Sequence, residues 1–134
     1  MLGMTQVRTS LLAVAAACAL ATCKATAPQA VCTAQVVALA LVVRAPDGSP
    51  VPGLTISDTI LRTRQAITYS PPPIASRARI IFDDSFRTTI RPEGDSVRVA
   101  GTTGTTGFSA NFIFDVPYGC HVSKLAGPDS VTVP

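Results

Sequence analysis

This 134-residue sequence predicts an all-β fold: a small antiparallel β-sandwich of about seven strands, preceded by a cleavable signal peptide. Phe108, Ala110, Phe112 and Phe114 alternate with Ser109, Asn111 and Ile113, the period of two expected of a strand buried on one side. Asp47-Gly48, with Pro50 and Pro52 just behind, marks a turn through which no helix continues. Past residue 43 the chain is rich in Val, Ile, Thr, Pro and Gly, a mixture that favours short strands and turns.

The length allows one small domain. The formal charge of +3 is modest, and the arginines are scattered through strand-like runs, not gathered on one face. Nucleic-acid binding needs a concentrated basic footprint with several phosphate contacts, so it is excluded as a function class.

The amino terminus reads as an address. Arg8 is the only charge before LLAVAAACALA, an apolar run too short for a membrane span and laid out as a secretory signal. Leu20-Ala21-Thr22-Cys23 resembles the lipobox of bacterial lipoproteins, with Thr22 departing from the usual Gly or Ala. Cleavage after Ala21, giving a soluble secreted chain, and lipidation at Cys18 are the alternatives. Each leaves an odd number of cysteines, whereas lipidation at Cys23 leaves Cys32 and Cys120 as a single possible pair. The expected organisation is therefore a lipoprotein signal peptide at 1–22, a polar tether at 23–30 beginning with lipid-bearing Cys23, and a β-sandwich domain at 31–134. Two or three acyl chains, at about 0.8 kcal/mol per buried CH₂, suffice to hold such a chain on a membrane. Its expected place is the bacterial cell envelope, on the periplasmic or outer-membrane face.

Val31 to Val43 is apolar but interrupted by Gln35, and Val37, Leu39, Leu41 and Val43 share one face of a strand. A helix is the competing reading, since Ala and Leu favour one; the turn behind it decides for the strand. Leu54, Ile56 and Ile60 define a second strand. The segment VVALALVVRAPDGSPVPGLTI resembles the opening hairpin of carboxypeptidase regulatory-like domains, which are small prealbumin-like or immunoglobulin-like β-sandwiches. That resemblance implies a bridge between a cysteine ahead of the first strand and one near the closing strand, the places of Cys32 and Cys120. The single His, the absence of Trp and the lack of any paired chemistry favour a non-catalytic module. The parity of Cys32 along the strand requires either a bulge near Ala34 or a bridge outside the sandwich core.

Further strands are expected within 62–69, 78–82, 86–90 and 96–100, with Ser70-Pro71-Pro72-Pro73 an extended loop. Gly101 to Gly107 spaces its glycines like a phosphate loop, but a strand follows where a helix is needed, so it reads as a hairpin loop. The run CHVSKLAGPDSVTV supplies the last strand pair.

Candidate chemistry is sparse. His121, the single histidine, reads as a surface residue, and a zinc site would need Cys or carboxylate partners. A triad of Ser123, His121 and Asp115 lacks a nucleophile elbow. Asp83, Asp84, Glu93 and Asp95 lack the spacing of a calcium loop. The expectation is an anchored, non-catalytic structural or interaction module without catalytic residues, metal or other cofactor, its partners being the membrane and an envelope protein. The alternative is an exported enzyme or ligand-binding protein with its site in the sandwich-end loops.

Overall fold

The computed structural model describes residues 31–69, 77–104 and 106–134. The signal peptide, Cys23 with its tether and the Ser70–Pro73 loop lie outside the described residues.

Among the described residues eight strands form two layers: β1 (Ala38–Arg44), β2 (Thr55–Ile60), β3 (Gln65–Thr68), β4 (Ala78–Asp83), β5 (Asp95–Thr103), β6 (Thr106–Asp115), β7 (Ser123–Ala126) and β8 (Ser130–Thr132). One sheet has the order β4-β1-β8, the other β3-β2-β5-β6-β7. All the pairings are antiparallel except β1 with β8. The all-β sandwich read from the alternation is the fold of the molecule.

The faces obey the period of two. Leu41 and Val43 of β1 point inward, as do Ile56 and Ile60 of β2 and Val97 and Val99 of β5. The aromatics of β6 then join the layers: the Phe114 ring lies 5.5 Å from Phe112 beside it and 5.0 Å from Phe82 of the opposite sheet. Burying three such rings is the largest apolar contribution to a core of this size. Gly127 makes room for the Phe112 ring and Gly101 for that of Phe108, since a Cβ would fall 2.3 Å and 2.2 Å from them.

Three expectations are corrected. β1 and β2 do not form a hairpin: after the single Arg44–Pro50 bridge the chain crosses to the other sheet. Pro50 and Pro52 lack the N–H donors a ladder needs, and Gly53, at φ 65°, redirects the backbone. Phe86–Ile90 is not a strand. Asp83 accepts from the Ser85 N–H and starts a 3₁₀ turn over Asp84–Phe86, which swings Phe86 against Tyr69 and Phe82. The last two strands are not paired with each other: β7 extends the large sheet, and β8 crosses to lie along β1. The Gly101–Gly107 loop is tighter than expected, with the β5–β6 ladder running to Thr103 opposite Thr106.

Asp58 breaks the apolar face of β2. It is fully buried opposite Val99 and Ile67, and neither carboxyl oxygen has a hydrogen-bond partner among the described residues. Burial pushes its pKa from 3.8 to about 8. Between those values the unfolded chain has lost a proton that the folded one keeps, so stability is full below about pH 4 and falls as the pH rises to about 8. Asp58→Asn keeps the shape and removes the titration. Urea unfolding across pH 5 to 8 is expected to give a flat stability profile for the variant and a declining one for the parent, with the variant ahead by about 2–4 kcal/mol at pH 7.5.

Candidate functional site

A connected polar group surrounds the point where the chain enters the domain. Residues 31–37 precede β1 and are not part of a strand, so strand parity does not govern Cys32. Cys32 is joined to Cys120 across a sequence separation of 88, with Cα atoms 5.1 Å apart. The bridge lies outside the sandwich core: Cys32 is exposed, and Cys120 follows the short turn Pro117–Gly119. Closing so long a loop removes about 4–5 kcal/mol of unfolded-chain entropy in the loop model.

Each bridged cysteine is followed by a polar residue, and the bridge brings the two together. Thr33 Oγ1 lies 2.9 Å from His121 Nε2, and His121 Nδ1 lies 2.7 Å from Asp84 Oδ2. Asp84 comes from the 3₁₀ turn after β4 and is almost wholly buried. Its Oδ2 also accepts from the Val37 N–H at 2.8 Å, and its Oδ1 accepts from the Val122 N–H at 2.8 Å. The Asp84 N–H returns a bond to the Val37 carbonyl. One carboxylate therefore holds the entering strand, the closing segment and the imidazole.

Burial works against the charge on Asp84. The Val37 N–H, the His121 ring and the Val122 N–H outweigh it and hold the carboxyl below its usual range. An ionised carboxylate only accepts, so His121 donates from Nδ1; in the neutral ring Nε2 is then the acceptor for the Thr33 hydroxyl. The resulting order of hydroxyl, imidazole and carboxylate is that of a nucleophile relay. Here, however, the main-chain N–H groups of Val37 and Val122 are aimed at the carboxylate, where an acyl-transfer site aims such groups at the substrate oxygen. The arrangement is built as a clamp.

The other weighed residues go elsewhere. His121 is only partly exposed and is not a free surface residue; it pairs with Asp84, not Asp115, whose carboxylate accepts from the Ser123 hydroxyl. Asp83 caps its turn. Asp95 is buried and held by Arg62, through Nε at 2.8 Å and Nη2 at 2.7 Å, and by Arg91. The hydrogen bonds from Arg62, opposed by burial, keep Asp95 low. Among the described residues no group of three or more His, Cys, Asp or Glu is set to hold a metal ion. Thr33 was missed from sequence, and Asp84 was read there only as a turn carboxylate. The available signal was the bridge itself, because pairing Cys32 with Cys120 places their successors side by side.

A lowered carboxyl stabilises the fold above its unfolded pKa, and that contribution is lost as the pH falls through the folded one. Asp84→Asn is expected to lower stability by about 2 kcal/mol at pH 7, with the gap to the parent closing as the pH falls below the ordinary carboxylate range and the parent carboxyl takes up its proton. Urea unfolding at neutral and at acid pH measures both.

Compared with protein-family models, with curated proteins and with solved structures, the chain matches none.

Proposed function

We propose that the chain is a bacterial envelope lipoprotein, anchored through acylated Cys23, whose non-catalytic β-sandwich is a structural or interaction module of the carboxypeptidase regulatory-like kind. The observation that carries this reading is the clamp at the domain entrance. A tether ending in lipid delivers any load to residues 31–37, and there the chain is tied by the Cys32–Cys120 bridge and by Asp84. The bridge also occupies both domain cysteines, which leaves Cys23 as the mature chain's unpaired thiol, suited to lipid. No helix among the described residues is long and apolar enough to cross a membrane.

Mass spectrometry of the membrane fraction is expected to find a diacylglyceryl thioether on Cys23, and Cys23→Ser is expected to move the chain to the soluble fraction. An unmodified amino terminus at Thr22 rejects the anchor. A second reading has the Thr33–His121–Asp84 order behind it: an acyl-transfer enzyme of the envelope, with Thr33 as nucleophile. p-Nitrophenyl acetate separates the two. The clamp reading expects no acyl group on Thr33 and hydrolysis unchanged by Thr33→Ala; acylation of Thr33 that is abolished by His121→Ala establishes the enzyme.

A further inference from the structure

The two outer faces of the sandwich differ in chemistry. On the five-stranded sheet the outward residues at the centre are mostly polar, Ser57, Thr59, Ser96, Arg98, Ser109 and Asn111, with Ala100 among them and the exposed Ile113 and Leu125 toward the β7 edge. On the three-stranded sheet they are Ala38, Ala40 and Val42 of β1 and Ala78 and Ile80 of β4, with Ile80 47% exposed, bordered by Ser130 and Thr132 of β8. The registers Ala40 with Ile80 and Val42 with Ala78 make them one continuous patch. A flat apolar face on a small domain marks a contact surface.

Charges stand at the two ends of this patch. Asp83 lies opposite Ala38, and Arg44, exposed, lies opposite Thr132 at the other end of β1. Asp83 gives one oxygen to the Ser85 N–H, and neither Asp83 nor Arg44 has an ion-pair partner among the described residues. The face is therefore negative at one end, apolar in the middle and positive at the other. Such a pattern is complementary to itself when turned end for end.

We propose that this face docks a second copy of the chain, sheet on sheet, about a two-fold axis lying in the interface and perpendicular to the strands. That axis sets Arg44 of each copy over Asp83 of its partner, while Ala40, Val42 and Ile80 pack at the centre. An axis parallel to the strands would set arginine against arginine, and the charges select between the two. Two strands about 20 Å long and the shorter β8 of about 10 Å, about 4.8 Å apart, give a footprint of roughly 250 Å² per copy, well under a standard interface. The dimer is accordingly weak in solution, with a Kd on the order of 0.1–1 mM, and anchoring both copies on one membrane would supply the effective concentration it needs. The proposal names the partner of the interaction module proposed above, but its solution test does not depend on the anchor.

The test uses the full exported chain carrying Cys23→Ser, followed by sedimentation equilibrium up to about 1 mM. A monomer–dimer equilibrium is expected, weakened by added salt. Ile80→Lys should raise Kd more than tenfold. Arg44→Glu and Asp83→Lys should each raise it about fivefold, because a reversal acts twice in a symmetric pair, and the double reversal should return it to within about twofold. Thermal melts identify any variant that loses its fold; Ile80→Lys leaves the Asp83 cap in place and keeps the test independent of it. A chain that stays monomeric, a dimer indifferent to Ile80→Lys, or a double reversal no tighter than either single one overturns the proposal. So does binding to anionic vesicles that Ile80→Lys abolishes in a chain that stays monomeric, since the face then meets lipid.

Discussion

The Asp84 carboxylate is the constraint on which the closed form of this domain depends. The first strand has no hairpin partner, and its neighbours β4 and β8 are distant in sequence, so nothing local fixes where β1 begins. Asp84 does so by accepting from the Val37 N–H on one side and the Val122 N–H on the other, and the disulfide makes the same join covalent. Such a charge is tolerated in a nearly buried place because both oxygens are met by donors. Asp95 follows the same rule at the start of β5, with two arginines as donors. Asp58 breaks it: no donor among the described residues reaches it, and the cost appears as a carboxyl that stays protonated near neutrality.

What the sequence made legible was whatever depends on alternation and on turns. The core faces of β1, β2, β5 and β6 follow directly from residues two apart, and the Asp47-Gly48 turn falls where its glycine sits, at φ 83°. Pairing was less legible. The sequence around Pro50 reads equally as a hairpin or as a passage between layers, since the prolines limit the ladder without saying where the chain goes next. The alternation of Phe86 and Ile90 imitated a strand because Phe86 reaches the core from a 3₁₀ turn, and only the capping by Asp83 distinguishes the two.

The candidate site divides along the same line. Cys32 and Cys120 were legible from counting cysteines, a constraint on the whole chain. Asp84 was visible only as a turn carboxylate, because its partners Val37, His121 and Val122 lie roughly 40 positions away on either side and no local pattern announces them. The hidden acid at position 58 was overlooked for the opposite reason: it holds a core position in β2 between Ile56 and Ile60, where the alternation leads one to expect an aliphatic residue.

The bridge also decides how the chain would behave under tension. Force applied at the two ends passes from Cys32 directly to Cys120, so the 87 residues between them carry none of it. Only the fourteen residues after Cys120 lie on the loaded path within the fold, and unravelling them releases about 50 Å, where opening the loop would add about 300 Å. The strand they would surrender first is β8, which lies parallel to β1 and so resists as a ladder in shear, its bonds loaded together. Oxidised, the domain is a short-travel link; reduced, it becomes a long one.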